Sequence, residues 1–221
     1  MKGVVTNSPL AGKRILITAG PTHEPIDPVR FIGNHSSGKM GYALSEELTK
    51  KGAEVHLVSG PSYLKQPDNV HFTKVQTAQQ MFEACEPIFD ESDITILSAA
   101  VADYTPLVVA DKKIKKEGNS LTIEFTKTID IASTLGKRKK GNQLLIGFAL
   151  ETDNELQNAQ NKLIRKNLDF IILNSLKDEG ACFGSDNNKI TILSEKDQLP
   201  FPLKSKQEVA KDIIAHIERY F

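Results

Sequence analysis

The sequence predicts an α/β protein: a doubly wound, mostly parallel Rossmann-like sheet that carries a β-hairpin flap. Two observations predict it. Short strand-like apolar runs alternate along the chain with segments of helical period, the pattern of a parallel sheet with crossover helices. One segment, residues 104–128, interrupts that alternation with no helical period and supplies the flap. No linker, internal repeat or low-complexity tract divides residues 1–221, so a single domain is expected.

Taken in order, the first strand is RILITA (14–19), followed after a long loop by a helix over 39–51. Gly52 stands just past Lys50 and Lys51, as expected where a helix ends. Strands follow at 54–58 and 70–75, then a helix at 78–89 and a strand at 94–99. KIKK (113–116), the turn EGNS (117–120) and the alternating LTIEFT (121–126) read as the hairpin. A helix at 131–140, a strand at 144–149, a helix at 154–167 and a strand at 170–174 continue the alternation. KITIL (189–193) and PFPL (200–203) flank a polar turn and read as a second small pair. The last helix, 206–220, opens with a capping box in which Ser205 is followed three residues on by Glu208.

Composition narrows the function. Lys plus Arg equals Asp plus Glu at 28 each, which gives no support for nucleic-acid or membrane binding. No apolar run reaches membrane-spanning length and the first residues lack a signal-peptide core, so a cytoplasmic protein is expected. Cys85 and Cys182 are too few and too far apart for a disulfide framework or metal cluster. The five histidines are scattered along the chain, and no Ser-His-Asp or nucleophile-elbow pattern occurs.

In open α/β sheets ligands bind beyond the carboxyl ends of the strands, and the unusual residues of this chain fall there. The loop after strand one holds Pro21, Pro25, Pro28, Asp27 and Arg30 and ends in GNHSSGKM, a near match to the Walker A phosphate loop. Met40 stands where a hydroxyl would hold Mg²⁺, and the motif lies fourteen residues past its strand, so a Walker ATPase is rejected. What stays is a helix mouth at Ser36, Ser37 and Gly38, suited either to an anion or to an ordinary serine cap. The loop has no G-x-G-x-x-G and the second strand does not end in an acidic residue, which counts against a nicotinamide-dependent reductase. SAAVADY (98–104) puts small residues and Asp103 after strand four, and GFALET (147–152) puts Phe148 and Glu151 after strand five. Lys162 and Lys166 share one helix face, where two like charges repel by a few tenths of a kcal/mol that a polyphosphate would relieve. KKIKK (112–116) places cations on the flap, a pattern that an edge strand guarded by lysines would also produce.

Together ITAGPTHEPIDPVRFIGNHSSGKMG (17–41), AAVADY and KIKK (99–116), GFALET, KLIRKNLD (162–169) and SDNN (185–188) closely resemble the phosphopantothenoylcysteine synthetase family. That family forms the second half of the bifunctional bacterial coenzyme A biosynthesis protein. The resemblance implies a CTP-dependent ligase: phosphopantothenate attacks CTP, pyrophosphate leaves, and cysteine displaces CMP from an acyl-cytidylate to make an amide. It implies that Asn34 holds the acyl-cytidylate and that Lys113 stabilises charge during nucleotidyl transfer. It places Asp103, Phe148, Lys162 and Lys166 at the CTP site, with Ser37, Gly38, Ser98 and Ala99 beside them. Ile129, Asp130 and Ile131 complete that set in T-I-D-I (128–131), where the family commonly reads N-P-D-I. Mg²⁺ and a homodimer are implied as well, with no metal ligand assigned. The flavin decarboxylase half does not occur in these residues, and SPLAGKRILIT allows either a stand-alone enzyme or part of a longer chain. Two other readings are a nucleotide-binding module without catalysis and the nicotinamide reductase.

Overall fold

The computed structural model describes residues 8–116, 118–175, 180 and 185–221. Its first half contains β1 (Arg14–Ala19), β2 (His23–Pro25), β3 (Phe31–Gly33), α1 (Lys39–Lys50), β4 (Glu54–Ser59), β5 (His71–Lys74), α2 (Ala78–Phe89) and β6 (Ile94–Leu97). The flap strands β7 (Tyr104–Pro106) and β8 (Phe125–Lys127) follow, then α3 (Ile131–Arg138), β9 (Leu144–Glu151), α4 (Glu155–Arg165) and β10 (Phe170–Ser175). The chain closes with β11 (Asn187–Asn188), β12 (Ile190–Leu193), β13 (Gln198–Pro200), β14 (Lys204–Ser205), α5 (Lys206–Ile217) and a 3₁₀ turn, Glu218–Tyr220.

The main sheet runs β13-β12-β10-β9-β6-β1-β4-β5. Its six parallel strands, counted along the chain, stand in the order 3-2-1-4-5-6 of the Rossmann fold, with the order reversing between β1 and β6. The sheet is covered on both faces, which explains why its strands read as continuous apolar runs. In β1, Ile15 and Ile17 pack with α1 and α5, whereas Leu16 packs on the opposite side with α2, α3 and α4.

Three expectations change. The loop after β1 contains an unforeseen hairpin, β2 with β3, in which the His23 and Phe31 rings stack at 3.7 Å. In the flap, the paired strands are β7 and β8, not KIKK and LTIEFT, with the Leu107 N–H donating to the Glu124 carbonyl just beyond them. Lys113, Lys115 and Lys116 are exposed and lie in no strand. The second small pair is KITIL's β12 with β13 at Gln198–Pro200, not with PFPL (200–203), and it extends the main sheet antiparallel to β10 instead of standing apart. Cys182 lies outside the described residues.

Candidate functional site

A cavity of about 660 Å³ opens beyond the carboxyl ends of β1, β6, β9 and β10, at the point where the strand order reverses. Packing brings its floor together. A Cβ on Gly41 would lie 2.6 Å from the Ala19 Cβ and 3.1 Å from Ser98 Oγ, so glycine lets α1 sit close over β1 and β6. Gly38 begins the helix at φ 83°, with no side chain capping it. The serine-cap reading of this turn is therefore corrected. Ser36 Oγ instead accepts from the Gly38 N–H at 3.3 Å, and the helix mouth opens on the cavity.

The wall after β6 is fixed from the loop after β1. Ala99 N–H donates to Thr18 Oγ1 at 3.2 Å and Ala102 N–H to Thr22 Oγ1 at 2.9 Å. The Ala100 carbonyl accepts from the Thr22 N–H at 3.2 Å and from Asn34 Nδ2 at 2.9 Å. One Asn34 N–H thus anchors the side chain at the cavity, and an amide retains a second donor and its acceptor oxygen. Opposite, Thr128 Oγ1 donates to the Ala102 carbonyl at 2.6 Å and its N–H to the Asp103 carbonyl at 3.0 Å. Those bonds hold the T-I-D-I turn without a proline.

Asp130 caps α3, its Oδ1 accepting from the Ser133 N–H at 3.0 Å and from Lys166 Nζ at 2.9 Å. Burial pushes its carboxyl up, but these donors outweigh it and the group lies below its ordinary range. A Cβ on Gly136 would stand 2.0 Å from the Lys166 carbonyl oxygen, so the glycine lets α3 pack directly against the end of α4. Lys162 pairs with Glu151 at 2.6 Å and Lys39 with Asp186 at 2.6 Å. The lysines thus meet carboxylates from other elements, which corrects the reading of two like charges left to repel.

Asn34, Ser37, Gly38, Ser98, Ala99 and Asp103 line the cavity on the β1–β6 side. Ile129, Asp130, Ile131, Phe148, Lys162 and Lys166 line it on the other. Lys113 does not line it; its neighbour Ile114 borders a separate surface groove with Leu107, Val108 and Leu121. Sequence reading missed Asn174, at the end of β10, which lines the cavity with a buried Oδ1 that has no hydrogen-bond partner among the described residues. An asparagine closing an otherwise apolar strand was the available signal. Lys39, Asn188 and Lys206 also line the cavity.

Strand order and cavity position define the class: a doubly wound α/β protein with a polar, lysine-rimmed cleft at its topological switch point. Within that class, the chain belongs to the family described as DNA/pantothenate metabolism flavoprotein C-terminal domain, whose pattern matches residues 10–220. It is 48% identical over 214 residues to the Coenzyme A biosynthesis bifunctional protein CoaBC of Bacillus subtilis (strain 168), covering 96% of this chain and 52% of that one. It is 54% identical over 218 residues to a protein of an unknown prokaryotic organism named Cysteine/Cysteine sulfinic acid decarboxylase, covering 98% of this chain and 61% of that one. The chain therefore spans roughly half to three-fifths of these curated relatives. The crystal structure of the C-terminal domain of CoaBC superposes with a TM-score of 0.81 at 44% identity, covering 95% of this chain and 96% of that one. The DNA/pantothenate metabolism flavoprotein from Streptococcus pneumoniae gives 0.82 at 25% identity, covering 95% and 100%. In the described residues no helix is long and apolar enough to cross a membrane.

Proposed function

We propose that this chain is a ligase of coenzyme A biosynthesis that joins 4′-phosphopantothenate to cysteine by way of CTP. The observation that carries the reading is that Asn34, Lys162 of α4 and Lys166 just past its end line one cleft across the switch point, in a chain that superposes over 95% of its length on the CoaBC C-terminal domain. The decarboxylase name of the 54% relative belongs to a protein of which this chain matches 61%, and no residue of the cleft argues for it here.

In the first step a carboxylate oxygen of phosphopantothenate bonds to the α-phosphorus of CTP while the bond to the bridging oxygen breaks, and pyrophosphate leaves. In the second the cysteine amine attacks the acyl carbon, the carbon–oxygen bond to CMP breaks, and the amine loses a proton. Lys162 and Lys166 supply positive charge where the phosphates gather, and Glu151 and Asp130 hold them extended until the nucleotide replaces those partners. Asn34 offers its unused N–H to the acyl-cytidylate, and a neutral amide does so without acting as a base. The T-I-D-I turn and Phe148 supply backbone groups and a ring face for the cytosine.

A magnesium ion would suit this donor set: Asp103 is an exposed carboxylate at the cleft, and Mg²⁺ takes one or two carboxylates with phosphate oxygens. Bound there with CTP, it would offset triphosphate charge. Lys113 remains the proposed flap cation and must be brought to the cleft by movement of its segment or by a second copy. Exposed apolar side chains on the hairpin and flap, Phe31, Leu107, Val108 and Phe125 among them, support a homodimer. The test is pyrophosphate release with each nucleoside triphosphate. Release with CTP that requires phosphopantothenate, and amide only when cysteine is added, is expected. CTP binding with no pyrophosphate under any mixture would leave a non-catalytic nucleotide module.

A further inference from the structure

Two of the histidines that lie fifteen residues apart in sequence stand side by side in space. His56 and His71 are register partners on the parallel strands β4 and β5, and their rings stack with centroids 4.5 Å apart and an 18° interplanar angle. Glu54 precedes His56 by two residues on β4, so strand periodicity puts all three side chains on one face of the sheet. Its Oε1 lies 3.4 Å from His56 Nε2 and 3.7 Å from His71 Nε2. The three candidate donor atoms all fall within 4.8 Å of one another.

We infer that Glu54, His56 and His71 form a site for a late first-row transition-metal cation such as zinc, on the open edge of the sheet and apart from the cleft. The donor chemistry fits: imidazole nitrogens and a carboxylate are the ligands zinc takes outside thiolate sites. The spacing fits as well. Zinc–nitrogen bonds of about 2.0–2.1 Å in a tetrahedral arrangement separate ligand atoms by about 3.3–3.4 Å, matched by the His56–Glu54 gap of 3.4 Å and slightly exceeded by the His71–Glu54 gap of 3.7 Å. The stacked rings point their nitrogen lone pairs nearly parallel, so the exposed His71 ring turns to converge on the ion. Competing charge is drawn off, since Arg14, the register partner of Glu54, sends its guanidinium to Glu91 at 2.6 Å. Both imidazoles are reachable from solvent, and an open fourth position would take water. The bound ion ties β5, the edge strand, to β4.

The test uses the whole chain, stripped by chelator and kept in excess Mg²⁺ so that unselective carboxylate positions are saturated with a hard cation. Titration with Co²⁺ should give one equivalent of a visible d–d absorption, displaced by Zn²⁺. Zn²⁺ should slow amide exchange in residues 71–74 and raise the unfolding temperature. His71→Ala and His56→Ala should each weaken binding at least tenfold and abolish the slowing, while Glu54→Gln should weaken it less. Because His71 is mostly exposed, His71→Asn serves as a second variant that keeps the fold. No saturable binding would overturn the site, as would binding that is unchanged in both His71 variants and so belongs elsewhere. An unchanged exchange rate at β5 with Zn²⁺ bound would overturn the tie between the strands.

Discussion

Arg30 donates through Nη2 to the backbone carbonyl of Ile114 at 2.8 Å, fastening the middle of the flap to the loop that follows β1. The same arginine pairs with the buried carboxylate of Asp27 at 2.5 Å, and Asp27 Oδ2 accepts the Ile114 N–H at 3.1 Å. One ion pair therefore satisfies both backbone groups of Ile114. It explains why the stiff loop carries an Asp and an Arg three residues apart.

The bond from Arg30, assisted by N–H groups of Val29, Ile114 and Arg30, outweighs burial and holds the Asp27 carboxyl well below the usual carboxylate range. A depressed pKa gives stability that is complete above the ordinary value near 4 and is lost as pH falls through the lower, folded value. Flap protection should therefore stay flat from pH 7 to about 4.5 and fail only in stronger acid. Asp27→Asn should raise amide exchange at Ile114 severalfold at neutral pH. Exchange at Ile114 equal to wild type would remove the clamp.

Gly136 sets the distance between α3 and α4. Gly136→Ala forces a methyl against the Lys166 carbonyl, a backbone group that cannot rotate away. A cost of about 1–3 kcal/mol in urea unfolding is expected, the usual range for overpacking. CTP affinity should fall with it, since Lys166 and the Asp130 turn move together. A stability within error of wild type would show that the helices shift freely.

Lys166→Met should weaken CTP binding by about tenfold or more, the loss of one charge-assisted bond of ~1.5–3 kcal/mol. Calorimetric titration at two salt concentrations checks it, and the variant should show the shallower salt dependence. Equal slopes would place Lys166 outside phosphate contact.

His216 is buried beside Phe170, with ring centroids 4.9 Å apart, and neither ring nitrogen has a hydrogen-bond partner among the described residues. Burial, then Arg219, lowers its pKa from the ordinary value of about 6.5. The unfolded chain binds this proton more readily, so the contribution is present above pH 6.5 and lost as pH falls below it. His216→Phe should flatten the unfolding temperature between pH 7 and 5. An unchanged slope would assign the acid sensitivity to other groups.

Elements with strong local signals were legible in the sequence. α2 occupies residues 78–89 as expected, framed by the Thr77–Gln80 capping box, and Ser205 and Glu208 cap α5 as read. Long-range pairing was not legible. Whether β12 joins the main sheet depends on its pairing with β10, between Asn174 and Ile190, which no local pattern encodes. KIKK alternates like a strand, yet with its lysines exposed it finds no sheet to pack against. The cleft residues came from motifs, Asp130 and Glu151 among them, but which carboxylate meets which lysine did not: Asp130 and Lys166 are distant in sequence and meet only because α3 packs against the end of α4 through Gly136.

The most direct measurement follows oxygen. Phosphopantothenate labelled with ¹⁸O in its carboxylate is turned over with CTP and cysteine, and the CMP is weighed by mass spectrometry. One ¹⁸O atom is expected in each CMP formed, because the attacking carboxylate oxygen stays on phosphorus when the amide forms. Unlabelled CMP with the label in pyrophosphate, or CDP as the nucleotide product with the label in orthophosphate, would contradict it.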